Sequence, residues 1–214
     1  MHLVECQDVA HSFPGAPELS LPDLVIGNGE HVVVTGPSGT GKTTLLQILA
    51  GLLTPTNGTV RLAGVDWASL THTDRDRRRG RAVGIVFQSF NLITAISVLD
   101  NLKLARRLAG YPRDDDRCRD LLDGLGILDL AHRVPTRLSR GEAQRAAIAR
   151  AVSGEPDLLL ADEPTSALDA DNAASVIGLL LERAGASGAG VIVTTHDERI
   201  ADMFDRRVRL GSGS

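Results

Sequence analysis

Residues 31–51 constrain this chain more than any other stretch. His31-Val32-Val33-Val34-Thr35 is a short β-branched run suited to a buried strand. Gly36-Pro37-Ser38-Gly39-Thr40-Gly41-Lys42-Thr43 follows and satisfies the pattern G-x-x-x-x-G-K-[ST]. Thr44-Leu45-Leu46-Gln47-Ile48-Leu49-Ala50 is apolar at helical spacing, and Gly51 is placed to end that helix. A buried strand that feeds a glycine-rich turn and then a helix calls for an α/β fold with a parallel sheet covered by helices.

The turn carries its own chemistry. Gly36, Gly39 and Gly41 permit backbone conformations that a Cβ resists. Successive N–H groups can then turn inward around phosphates, and the helix beginning near Lys42 adds its positive end. Lys42 is one of two lysines among 23 basic residues. A compact ammonium fits between β- and γ-phosphate oxygens where a planar guanidinium is too wide. Thr43 offers a hydroxyl to Mg²⁺, and Thr44 follows it at the loop's exit. The pattern implies a nucleoside triphosphate ligand.

At 214 residues the chain can bury one sizeable core. No apolar run approaches the ~18 residues of a membrane span. Its first residues lack a basic segment followed by an apolar one, so a cytoplasmic location is expected. Cys6 and Cys118 stand alone and read as two reduced thiols. The net charge of −4 argues against a general nucleic-acid binder, and no nucleic-acid partner is expected. Gly211-Ser212-Gly213-Ser214 has the composition of a tag remnant and carries no weight.

Along the chain, Leu3–Cys6, Leu19–Leu21, Thr59–Leu62 and Val83–Phe87 read as strands. Residues from about Val98 to Ala151 read mostly as helices, broken at Gly110-Tyr111-Pro112 and Val134-Pro135. Leu158–Ala161 and Val191–Thr194 return to short buried strands. The first of these ends in Asp162-Glu163. Two acids at the carboxyl end of a parallel strand face the ligand crevice, which suits Asp162 to Mg²⁺ and Glu163 to the water that attacks the γ-phosphate. Alone, such a pair reads equally as a helix N-terminal charge patch. His196 follows the strand ending at Thr195; it is either a structural histidine or a contact for the γ-phosphate or its water.

Taken in order, these motifs resemble those of ATP-binding cassette (ABC) ATPase domains over essentially the whole chain. Gln88 resembles the family's glutamine loop, and Leu138-Ser139-Arg140-Gly141-Glu142 its signature. Asp162-Glu163 resembles its acid pair, Ser166-Ala167-Leu168-Asp169 the loop that crosses its dimer interface, and His196 its switch histidine. Phe13 sits where the family has an aromatic that stacks on adenine. Within the family, Ala161-Asp162-Glu163-Pro164-Thr165 and the compact length look most like ATPase subunits of lipoprotein-releasing, macrolide-exporting and cell-division complexes.

The resemblance implies a P-loop NTPase core with a parallel sheet, a small N-terminal antiparallel β subdomain and an inserted helical subdomain. It implies one domain over 1–214, with the core and β subdomain in about 1–88 and 156–210 and the helical part in about 89–155. It also implies an ATP hydrolase using ATP and Mg²⁺, with Glu163, His196 and Gln88 at the reaction and Thr43, Gln88 and Asp162 toward the metal. Two such domains would pack head to tail, a homodimer being the simpler case, so that Ser139, Gly141 and Asp169 meet the partner's nucleotide. Separate transmembrane permease subunits would hold the pair at the inner face of the membrane. A regulatory ATPase of the cell-division type, or a soluble ABC ATPase outside transport, would share these motifs.

The chain departs from the pattern at Arg140, which replaces the first signature glycine. If that position needs φ > 0, arginine strains it by about 1–2 kcal/mol; if not, Arg140 points away or adds charge beside the partner's ATP. Ser139 reads as a helix cap as well as a ligand. Arg75-Asp76-Arg77-Arg78-Arg79-Gly80-Arg81 reads as a solvated helix face, or as a contact for lipid headgroups. Ser89–Ile96 is apolar after Gln88 and reads as core packing, or as a groove for a partner helix.

Overall fold

The computed structural model describes residues 2–166, 168 and 170–211, with residues 170–172 as backbone only. It is built on two sheets. The first is antiparallel: β1 (Val4–His11) lies centrally, with β2 (Leu19–Ser20) and β3 (Leu24–Ile26) on one side and β5 (Asn57–Leu62) then β6 (Val65–Asp66) on the other. The second is parallel, in the order β10 (Arg206–Arg209), β4 (His31–Thr35), β9 (Gly190–Thr195), β8 (Leu158–Asp162), β7 (Val83–Val86).

Strand alternation explains the layering. Val32, Val34, Leu158, Leu160 and Ile192 face one core with α1 (Lys42–Leu49) and the antiparallel sheet. Val33, Leu159, Ala161, Val191 and Val193 face the other. That second core is closed by α3 (Val98–Leu108), α4 (Asp115–Asp123), α5 (Arg140–Ser153), α6 (Ala170–Ser187) and α7 (Glu198–Ala201). β4, β8 and β9 are buried along nearly every residue, which is why their sequences run apolar without alternation.

The arginine-rich run lies in α2 (His72–Ala82), which leads directly into β7. Thr71 caps that helix by accepting from the Asp74 N–H at 3.2 Å. Three strands lack a sequence signal. β3 and β6 are short, and β10 reads Arg-Arg-Val-Arg, a polar sequence tolerated because β10 is an edge strand, with Arg206 paired to Glu30 and Arg207 to Glu198 and Asp202. β7 stops at Val86, so Gln88 sits two residues into the loop rather than at the strand end.

Candidate functional site

The parallel order brings the carboxyl ends of β4, β8 and β9 side by side, and the site forms there. Gly36 leaves β4 where a Cβ would lie 2.5 Å from the Leu210 carbonyl oxygen, so the loop can start only with glycine. Gly41, at φ +91°, turns the chain left-handed into the first residue of α1. The Thr40 hydroxyl donates to the Pro37 carbonyl at 2.9 Å and fixes the loop from within.

Lys42 is buried. Its ammonium donates to the carbonyls of Gly36 at 2.8 Å and Pro37 at 3.1 Å, and lies 3.6 Å from Glu163 Oε1. The Thr43 hydroxyl donates to Asp162 Oδ2 at 2.8 Å. Glu163 Oε2 lies 2.9 Å from His196 Nδ1. Residues far apart in sequence thus form two polar chains, His196–Glu163–Lys42 and Asp162–Thr43.

Thr194, which no motif marks, joins the halves. It is fully buried on β9, and the register pairs it with Asp162. Its hydroxyl donates to Asp162 Oδ1 at 2.7 Å. The Glu163 N–H donates both to the Thr194 carbonyl at 3.1 Å and to the same hydroxyl oxygen at 3.2 Å. Glu163 has φ +45°, a left-handed conformation that a side chain ordinarily avoids, and this pair of acceptors holds it there.

Lys42, Thr43, Glu163 and His196 open on a cavity of about 900 Å³, lined also by Ser38, Gly39, Gly41, Thr44 and Gln88 among others; Asp162 does not line it and stands behind Thr43. Phe13 stands at its rim, 41% exposed, with the His11 ring edge-on at 4.5 Å between centroids. Gly36, Pro37 and Thr40 shape the loop from behind, and none of the three lines the cavity. A hydroxyl and a carboxylate meeting at one point are the hard oxygen donors that suit Mg²⁺, which keeps its remaining positions for water and phosphate.

The signature residues lie elsewhere: neither Ser139 nor Gly141 lines the cavity. Ser139 caps α5 in a reciprocal box. Its hydroxyl accepts from the Glu142 N–H at 3.3 Å, and Glu142 Oε2 accepts from the Ser139 N–H at 2.6 Å. That backbone hydrogen bond is the main cause that holds the Glu142 carboxyl below its ordinary range. Arg140 is the first helical residue and is not among the positive-φ positions, so it meets no backbone strain. Asp169 lies outside the described residues.

Four of the five arginines of the basic run have partners within the chain. Arg75 donates to the Thr54 hydroxyl and Arg78 to the Leu62 carbonyl, while Arg77 and Arg79 pair with Asp74 and Asp76. These contacts favour the solvated-face reading. Of the apolar segment, Phe90 and Leu92 pack on the core and Ile93 is 46% exposed. A groove of about 260 Å³ lies beside β7, lined by Leu52, Arg79, Ile85, Phe87, Leu108 and Arg150 among others; none of residues 89–96 lines it.

A parallel sheet whose strand ends carry a phosphate loop, an acid pair and a histidine around one cavity defines the class: a P-loop nucleotide hydrolase. Residues 19–166 match the family described as "ABC transporter", and the chain belongs to that family, as an ABC-type ATPase. It is 42% identical to the lipoprotein-releasing system ATP-binding protein LolD of Anaeromyxobacter dehalogenans, over 92% of this chain and 84% of that one. It is 40% identical to the macrolide export ATP-binding/permease protein MacB of Marinobacter nauticus, over 99% of this chain and 34% of that longer one. A solved structure described as a dimeric post-hydrolysis state of the ATP-binding cassette MJ0796 bound to ADP and Pi superposes with a TM-score of 0.88. It is 30% identical and covers 99% of this chain and 97% of the other.

Proposed function

We propose that this chain is the motor subunit of a transporter: it binds Mg·ATP, pairs head to tail with a second cassette, hydrolyses, and passes the cycle to separate transmembrane permease subunits at the inner membrane face. The observation that carries this reading is the single cavity that gathers Lys42, Thr43, Gln88, Glu163 and His196, while the helix end bearing Ser139 and Gly141 lies outside it. One chain therefore holds the phosphate machinery but leaves the N-terminus of α5, the positive end of its dipole, for another nucleotide.

In this reading Lys42 exchanges its carbonyl partners for β- and γ-phosphate oxygens. Thr43 and Asp162 hold Mg²⁺, whose charge neutralises the phosphates. Glu163 accepts a proton from the attacking water, and His196 fixes the Glu163 carboxylate and the γ-phosphate side of the cavity. Gln88 completes the wall toward the metal and the water. Phe13 stacks on the base with no hydrogen bond to select it. Asp169 belongs to the loop that faces the partner. The exposed Leu52 and Leu108, 46% and 67% accessible, give the groove beside β7 an apolar rim suited to a helix of a membrane subunit. Likeness to a subunit named for lipoprotein release, 84% of whose length this chain covers, favours a small cassette that works with separate permease subunits.

The test is Mg²⁺-dependent ATP hydrolysis by the purified chain beside Glu163→Gln, both sized with ATP. The expected result is hydrolysis by the native chain and loss of at least about 100-fold in the variant, which still binds ATP and elutes as a dimer. A variant that hydrolyses at the native rate removes Glu163 as the base. A variant that stays monomeric at saturating ATP removes the sandwich.

A further inference from the structure

The loop carrying Gln88 is an unusual one to hold still. It runs from the end of β7 to Ser97, and two consecutive side-chain-bearing residues, Phe90 at φ +61° and Asn91 at φ +49°, adopt the left-handed conformation. Each costs roughly 1 kcal/mol or more and persists only where neighbouring contacts over-determine it. β7 is an edge strand, so the sheet supports the loop's root from one side only.

Two side chains supply the missing contacts. Asn101 of α3 is 2% exposed and binds Ile93 twice, accepting from its N–H at 2.8 Å and donating to its carbonyl at 3.1 Å. Arg150, in the last turn of α5, reaches the other end. Its guanidinium donates from Nη2 to the Ile85 carbonyl at 3.0 Å and from Nη1 to the Asn91 carbonyl. The two carbonyls lie three residues either side of Gln88. Among the described residues no carboxylate pairs with Arg150, so its charge is spent on backbone dipoles. Burial lowers the affinity of that guanidinium for its proton, consistent with a charge taken out of water for this purpose.

α5 begins at the Ser139 cap and packs tightly on β7: a Cβ on Gly84 would lie 2.3 Å from the Ala151 carbonyl oxygen. The helix is thus a short rigid rod with Ser139 at one end and the Arg150 clamp at the other.

We propose that Arg150 is a positioning residue for Gln88, tying the wall of one nucleotide cavity to the helix whose other end offers Ser139 to a second nucleotide. The proposal rests on the reading of Gln88 as part of the ATPase site. The planar fork of arginine meets the two carbonyls, six residues apart, with a separate nitrogen for each, where lysine would offer a single nitrogen on a flexible stem.

The experiment is a double-mutant cycle on the full chain, measuring kcat, KM for ATP and ATP affinity. The variants are Arg150→Gln, Arg150→Lys, Gln88→Ala and the Arg150→Gln/Gln88→Ala pair. Hydrogen exchange over residues 85–93 is measured on each. The expected result is a kcat about 10- to 100-fold lower in both Arg150 variants, with ATP affinity within about twofold. Faster exchange is confined to residues 85–93, and Arg150→Gln adds little in the Gln88→Ala background. A kcat loss of equal size with or without Gln88 overturns the proposal while leaving Gln88 in the site. Native kcat in Gln88→Ala overturns the reading of Gln88 itself, and the proposal with it. If Arg150→Gln unfolds, Arg150→Lys keeps the stem and charge and decides alone: native kcat with lysine overturns the bridging argument.

Discussion

Thr194→Val removes one hydroxyl and almost no volume, which isolates the polar link between β8 and β9. Thr194 is fully buried, and its oxygen serves two neighbours: it donates to Asp162 Oδ1 at 2.7 Å and accepts from the Glu163 N–H at 3.2 Å. Valine keeps the β-branched shape of a central strand, so neither a cavity nor a propensity penalty enters. The Glu163 N–H retains the Thr194 carbonyl at 3.1 Å and is not orphaned. Asp162 Oδ1 loses its donor in a buried setting, and a hydrogen bond to a charged group is worth about 1.5–3 kcal/mol. Taking about 2 kcal/mol, a chain of this length should melt about 4–8 °C lower. A second effect is functional. Asp162 is then held only through Thr43 at 2.8 Å, so the Mg²⁺ concentration that half-saturates hydrolysis should rise several-fold. Thr194→Ser, which keeps the hydroxyl, should recover the metal dependence. Calorimetry and a Mg²⁺ titration of ATPase rate decide the matter. A melting point within about 1 °C of native together with unchanged Mg²⁺ dependence would refute the argument that this hydroxyl organises the acid pair.

Four further outcomes follow from the geometry. Arg140→Gly should leave hydrolysis within several-fold of native, because Arg140 sits at an ordinary helical position; a very large gain would mean that its charge damps the site. Cys6 and Cys118 are buried, and burial first, then Asp23, pushes the Cys6 thiol up to about 12. The native chain should therefore resist thiol reagents at pH 8 and react at both cysteines in guanidinium. The stability from the neutral Cys6 thiol is present below its ordinary 9.0 and drains as pH rises toward 12, visible as a falling melting point in that window. Glu163→Gly should be more stable than Glu163→Ala by about 1 kcal/mol, since only glycine accepts φ +45° without cost; equal melting points would remove the claim of strain.

What could be read in advance was what is contiguous or stands at a strand end. The phosphate loop is a single run whose conformation its glycines dictate, and Asp162-Glu163 stands at the carboxyl end of an apolar strand, where a ligand crevice opens in a parallel sheet. Thr194 escaped because nothing local distinguishes it from Thr195; its role needs the Asp162↔Thr194 register, a property of two strands together. Trp67 escaped likewise. Its indole donates to the Leu49 carbonyl at 3.0 Å and covers Gly51, closing the end of α1 from a segment 18 residues away. β10 was hidden by its arginines, since periodicity cannot mark an edge strand whose polar side chains are paired in space with Glu30 and Glu198. Arg150 is one arginine of three in α5, and only the fold shows which of them reaches Ile85 and Asn91.

Adjacent residues of a strand point to opposite faces, so Asp162 and Glu163 would ordinarily serve different sides of the sheet. Here both reach the same loop: Asp162 meets Thr43, and Glu163 meets Lys42 and His196. The reversal is made at one backbone torsion, the left-handed φ of Glu163, just past the last residue of β8. Among the described non-glycine residues that line the cavity, Glu163 alone has this conformation. Glycine would take the turn freely but could carry no carboxylate, so the site accepts about 1–2 kcal/mol of strain as the condition for putting two acids on one phosphate path. The strain is kept local by Thr194, whose carbonyl and hydroxyl both receive the Glu163 N–H. The acid pair is therefore a three-residue device rather than a two-residue motif, and its third member works from the neighbouring strand.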